Sequence, residues 1–109
     1  MIDFKSIPET DLPRFKDGEG TFFARFAGDA DCKILFGRLP AGATIGLHTH
    51  EDTAEIIFFL SGTGVMLLNG EKEPIGAGLC HYCPKGSSHS FANEGTEDLI
   101  FRAVVPEHK

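Results

Sequence analysis

The feature that most restricts this chain is its punctuation. Apolar residues come in short runs separated by Gly, Pro, Asn and Asp, and no stretch keeps an apolar residue at helical spacing. The runs are Thr21–Phe26, Cys32–Leu39, Thr44–His50, Ala54–Leu60, Gly64–Leu68, Leu79–Cys83, Ser88–Asn93 and Asp98–Val105. Between them lie Gly28-Asp29, Pro40-Ala41-Gly42, Ser61-Gly62, Asn69-Gly70 and Pro84-Lys85-Gly86. Asn-Gly is a strong hairpin signal, because both residues tolerate the positive φ of a type I′ turn. Many short strands with frequent turns predict an all-β sandwich or barrel.

The chain has 109 residues, which points to one domain. Residues 1–20 carry Pro8, Pro13, Gly18 and Gly20 among scattered apolar anchors. They read as an extended N-terminal segment packed on the barrel or on a partner subunit, with the barrel spanning residues 21–109. The run Ile56-Ile57-Phe58-Phe59-Leu60 does not alternate, so both faces of that strand need cover. A barrel interior covers one; the other calls for a second sheet, the N-terminal segment or another subunit, the basis for expecting a homodimer.

A net charge of -6, with the ten Lys and Arg scattered, gives no basic face for nucleic acid and argues against a membrane surface. No apolar run reaches the length of a membrane span. Acids and prolines stand in Met1–Lys16 where a secretion signal would be apolar. Three cysteines do not suggest a disulfide framework. Together these predict a cytoplasmic protein.

Four residues stand out as metal ligands: His48, His50, Glu55 and His89. Two residues apart on a strand, His48 and His50 share a face, with Cα atoms roughly 6.5–7 Å apart. Glu55 opens the next strand after a short connection and can fold back beside them, and His89 arrives from a distant strand. Two His and a carboxylate suit a transition metal with open positions; a third His makes four ligands.

The spacing around these residues resembles a known family. Gly42, His48, His50, Glu55 and Gly62 stand at the intervals of the first cupin motif. Gly78, Pro84, Gly86, His89 and Asn93 stand at those of the second, and 15 residues separate the two. The chain thus resembles the small single-domain cupins of the RmlC-like superfamily. That resemblance implies an antiparallel jelly-roll barrel (a double-stranded β-helix), often dimeric. It implies one divalent metal ion (Fe, Mn, Ni, Zn or Cu) held by His48, His50, Glu55 and His89, with Asn93 a turn or strand-end residue.

Other signals are weaker. Cys80 and Cys83 have a Cys-x-x-Cys spacing, but residues three apart on a strand face opposite ways, so they read as small buried thiols. His81 reads as a surface or interface residue. Arg38 keeps step with Ile34 and Phe36; if those point into the barrel it is a candidate for holding an anionic substrate, and otherwise it reads as an exposed or structurally paired arginine. Tyr82, Arg25 and Arg102 are similar candidates. Glu51 and Asp52 are candidates for hydrogen bonds to the ligands.

The leading functional expectation is a metal-dependent enzyme of dioxygenase, isomerase or lyase type acting on a small polar organic molecule. The alternatives are a small-molecule-binding or sensing module without catalysis, and a closed structural zinc site.

Overall fold

The computed structural model describes residues 1–107. Ten strands follow one another: β1 Thr10–Pro13, β2 Thr21–Gly28, β3 Cys32–Leu39, β4 Thr44–Thr49, β5 Glu55–Ser61, β6 Gly64–Leu68, β7 Glu71–Ile75, β8 Cys80–Cys83, β9 Ser88–Ala92 and β10 Leu99–Pro106. They form two antiparallel sheets, one ordered β1-β2-β3-β10-β5-β8 and the other β4-β9-β6-β7. Neighbours in a sheet are mostly distant in sequence, the mark of a jelly roll rather than a meander. The all-β double-stranded helix expected from the sequence is what the chain adopts.

Strands alternate between a core-facing and an outward row. Leu35, Gly37 and Leu39 of β3, Ile57 and Phe59 of β5, and Phe101 and Ala103 of β10 face inward. Phe22 stacks on Phe101 at 5.6 Å, and Phe91 meets Phe101 edge-on at 5.4 Å. Gly37 is required there: a Cβ would lie 2.7 Å from the Phe101 ring and 2.8 Å from Phe22. The β6–β7 hairpin turns on Asn69 (φ 49°) and Gly70 (φ 84°), both left-handed as a type I′ turn demands.

Two strands escaped the sequence reading. Glu71–Ile75 is β7, although it contains Pro74 and no run is read there. Proline is tolerated because β7 is a sheet edge, paired only with β6. The N-terminal segment is not simply extended. It holds two 3₁₀ turns, Phe4–Ser6 and Phe15–Asp17, and contributes β1 as an edge strand on β2.

That segment also covers part of the outer face. Phe4 packs on Phe36 at 6.0 Å, and the Arg25 guanidinium donates to the carbonyls of Phe4 and Ile7. It does not reach β5. There the apolar run resolves into Glu55, Ile57 and Phe59 facing in and Ile56, Phe58 and Leu60 facing out. Phe58 and Leu60 stay 48% and 42% exposed, and Tyr82 on the adjoining β8 is 53% exposed. Among the described residues no helix is long and apolar enough to cross a membrane.

Candidate metal centre

Three strands and one connection deliver the polar cluster, and a register slip aims one of its members. β4 pairs β9 with Ile45 opposite Phe91 and His48 opposite His89, so β4 spends one more residue than its partner between those pairs. This bulge breaks the alternation. Ile45 and His48, an odd number of residues apart, both turn toward the interior, while Leu47 is thrown out to solvent. Gly46 lies in the bulge. A Cβ there would stand 2.0 Å from the Lys16 carbonyl, so only glycine lets the Phe15–Asp17 turn lie against β4. That turn runs through left-handed backbone at Arg14, Lys16 and Asp17 and brings Phe15 and Lys16 to the rim of the site.

His50 follows β4, its N–H bonded to the Ser87 carbonyl. Glu55 faces inward as the first residue of β5, opposite Cys83. His89 lies on β9 with no exposed surface. The Nε2 atoms of His48 and His50 each lie 3.1 Å from Nε2 of His89. Oε1 of Glu55 lies 3.0 Å from Nε2 of both His50 and His89.

Each ring is held from behind by its other nitrogen. His48 Nδ1 is 2.7 Å from the Gly46 carbonyl, His50 Nδ1 is 2.8 Å from the Thr53 hydroxyl, and His89 Nδ1 is 3.0 Å from His81 Nε2. His81 Nδ1 in turn lies 2.8 Å from Oε1 of Glu73. A carbonyl and a carboxylate only accept. His48 therefore carries its proton on Nδ1. His81 donates from Nδ1 to Glu73, accepts on Nε2, and leaves His89 protonated on Nδ1. His48 and His89 thus turn Nε2 atoms toward one another and toward a carboxylate, a set of contacts that needs a positive charge among them, a metal ion or, without one, a proton.

The charges agree. Burial, aided by the neighbouring His89 and His50, pushes His48 down to about 4 and outweighs its bond to Gly46. Burial alone would raise the Glu55 carboxyl, but its contacts with His50 and His89 hold it down at about 2. Burial also lowers His81, against the pull of Glu73. His48 is thus neutral and Glu55 anionic near neutral pH.

The residues fit a divalent metal, since the donor atoms of all four lie within 4.8 Å of one another. With bonds of about 2.0–2.1 Å, donors at right angles stand about 2.9–3.0 Å apart, and tetrahedral donors about 3.3–3.4 Å. The observed 3.0–3.1 Å lies closer to the right-angle value. A sphere of that kind would keep positions open. Beside the four residues lies a cavity of about 280 Å³ walled largely by aromatic and aliphatic side chains, with Lys16, Lys33 and Glu51 the other charged residues among the described lining.

Comparison with known proteins places this architecture. Residues 25–105 match the cupin domain family. The chain belongs to the cupin family. Over 73 residues this cupin is 47% identical to an oxalate-binding protein of Thermotoga maritima, covering 65% of the chain and 60% of that protein. Over 64 residues it is 41% identical to a glucose-6-phosphate isomerase of Thermococcus kodakarensis, covering 54% of the chain and 34% of the relative. The chain thus spans less than two thirds of the length of either curated relative. Its fold superposes with a TM-score of 0.93 on the crystal structure of a predicted oxalate decarboxylase from Thermotoga maritima, at 30% identity and over 98% of both chains.

The other site candidates of this cupin fall elsewhere. Arg38 does not reach the interior. The inward row of β3 is Leu35, Gly37 and Leu39, so Ile34, Phe36 and Arg38 point out. Arg38 forks onto both carboxylate oxygens of Glu9 at 3.0 and 3.1 Å and lies 4.1 Å over the Phe23 ring. The hydrogen bond raises the guanidinium and lowers Glu9. Tyr82 is outward on β8, as is Arg102 on β10. Neither Arg38 nor Tyr82 lines the cavity beside the cluster. Glu51 and Asp52 are exposed, and the hydroxyl that meets His50 belongs to Thr53 instead.

His81 is the main correction. It is 6% exposed and part of the cluster's support rather than a surface residue. Its signal was parity: Glu55 pairs with Cys83, and His81, two residues before Cys83, shares its inward face. Cys83 is buried as expected, but Cys80 is exposed rather than buried, because three-residue spacing puts it on the opposite, outward face. Burial pushes the Cys83 thiol up to about 11. Asn93 is a buried turn residue, donating to the Leu39 and Glu97 carbonyls and accepting from the Gly95 N–H.

Proposed function

We propose that this chain binds one divalent transition metal ion through His48, His50, Glu55 and His89 and uses it as a metal-dependent enzyme on a small polar organic molecule. The carrying observation is the convergence of three imidazole Nε2 atoms and one carboxylate oxygen with 3.0–3.1 Å contacts. The metal would supply Lewis-acid polarisation of a carbonyl or diol oxygen. The chain's own part is to orient the substrate, with the aromatic wall excluding water and the Lys16 and Lys33 ammonium groups at the rim favouring an anion. A small carboxylate fits that description. The oxalate named in both Thermotoga maritima comparisons is of this class.

One observation favours the alternative of binding without turnover. Among the described residues, the ionisable groups lining the cavity apart from the proposed ligands are Lys16, Lys33 and Glu51, all exposed. None of the three is a buried acid or base ready to move a proton. We further propose that a second copy of the chain covers the outer Phe58–Leu60–Tyr82 face, and that the three free thiols belong to a reducing cytoplasm.

Elemental analysis and electron paramagnetic resonance of untagged protein, followed by titration with oxalate and larger carboxylates, test the metal and ligand. Near one ion per chain, with a spectrum that changes on adding a carboxylate, supports an open centre; turnover of that ligand makes it an enzyme. A tightly held zinc indifferent to every carboxylate means a closed structural site. Light scattering of wild type against Phe58→Glu tests the dimer, which the charge should split.

A further inference from the structure

We infer that Glu73 and His81 form a hydrogen-bonded relay that positions His89 as a metal ligand, joining the two sheets across their open edge. The inference rests on the metal-binding reading above, and concerns residues outside the ligand set.

The three residues come from three strands. Glu73 is on β7, the edge of the four-stranded sheet, His81 on β8, the edge of the six-stranded sheet, and His89 on β9. The contacts are 2.8 Å from Glu73 Oε1 to His81 Nδ1 and 3.0 Å from His81 Nε2 to His89 Nδ1. The His81 and His89 ring centroids lie 5.2 Å apart at an interplanar angle of 22°, the near-coplanar arrangement that an N–H···N bond between imidazoles requires. The chain of donors has one direction. The carboxylate accepts from His81, so His81 must accept from His89, and the His89 lone pair must lie on Nε2, the atom that meets the other ligands.

The other two rings are fixed by local partners, Gly46 and Thr53, each within three residues of the histidine it holds. His89 has no such local partner; its ring is held from across the barrel. Orientation of this kind sharpens a ligand by removing its rotational freedom and by making the ring more basic toward the metal.

His81 and Cys83 also form, with His89, a second set of possible metal donors. The relay accounts for both nitrogens of His81 without an ion there. Two bound ions per chain would contradict it.

The test is metal affinity by chelator competition, with zinc and cobalt, on the full chain. His81→Leu should weaken binding roughly 10–100-fold, and Glu73→Ala, at a half-exposed edge position that tolerates change, by about tenfold. His81→Gln keeps an acceptor for the His89 N–H and should stay within about threefold of wild type, a rescue that mere packing would not give. Lys72→Ala, exposed on the same strand, should change nothing. In the zinc-loaded protein, nitrogen NMR should show His89 protonated at Nδ1, a signal lost in His81→Leu. Wild-type binding with unchanged affinity in His81→Leu and Glu73→Ala would overturn the relay alone. So would a second ion per chain that disappears in Cys83→Ser. A wild-type chain that binds neither metal would remove the ligand site itself, and the relay with it.

Discussion

The interior of the barrel is built by two different rules. One half is apolar: Leu39, Met66, Leu99 and Phe101 are essentially inaccessible, and order comes from filling volume. The other half holds His48, His50, Glu55, His81 and His89, where order comes from hydrogen-bond direction. Buried polar groups are tolerated only when satisfied; the outer Nδ1 atoms of His48, His50 and His89 each have a hydrogen-bond partner, and the facing Nε2 atoms and the Glu55 carboxylate are left to share a positive charge. The contrast teaches that equal burial does not mean equal purpose. Losing a group from the first half should cost folding, and losing one from the second should cost binding.

Leu99→Ala is expected to have the largest effect on folding. Its side chain is fully buried, and truncation should remove about 2–5 kcal/mol in urea unfolding of the metal-free protein, with metal affinity within about threefold of wild type. Loss of metal binding in that variant would show that the two halves are not separable. His48→Ala should do the reverse. Its affinity should fall at least about a hundredfold, or about 2.7 kcal/mol, while metal-free stability moves by less than about 1 kcal/mol because the ring is only partly buried. Unfolding of this variant would make the metal structural. Metal at about a hundredfold over its dissociation constant should add about 2.7 kcal/mol to the wild type. Calorimetry should show the melting temperature rising by more than about ten degrees, a rise kept by Leu99→Ala and lost by His48→Ala.

The two halves also differed in how far the sequence disclosed them. The ligand types and their spacing pointed to the strands that meet at the cluster, and Asn69-Gly70 marked its hairpin, because such signals are local. Parity was harder. Strict alternation from Ile45 would send His48 outward; the bulge at Gly46 turns it in, and the glycine inside Thr44–His50 is the local sign of the extra residue. Arg38 was credited with an inward position by keeping step with Ile34 and Phe36, but the row that faces in is Leu35, Gly37 and Leu39, where Gly37 makes room for two phenyl rings. His81 and Glu73 were invisible as a pair because their contact joins the edges of different sheets, a relation no spacing encodes. β7 carries three charges and a proline in Glu71–Ile75, so no apolar run marked it.

The smallest expected effect is on acid stability, and it arises only from the polar half. In the metal-free protein His48 titrates at about 4, against an ordinary value of 6.5, with burial the leading cause. Between those values the unfolded chain binds a proton that the folded chain refuses. Stability should therefore be complete above pH 6.5 and fall as pH drops toward 4. Because the ring is partly exposed, the loss is on the order of 1 kcal/mol rather than the full shift. Glu55, held at about 2, adds a second loss of the same sign from about 4.5 down to 2, as its carboxylate takes up the proton that favours unfolding. Urea unfolding across this range should show a shallow limb followed by a steeper one. His48→Gln should flatten the first and Glu55→Gln the second, while Leu99→Ala should lower the whole curve without changing its shape. A shallow limb that survives His48→Gln would assign the acid sensitivity to another group and end the claim that the buried imidazole is its source.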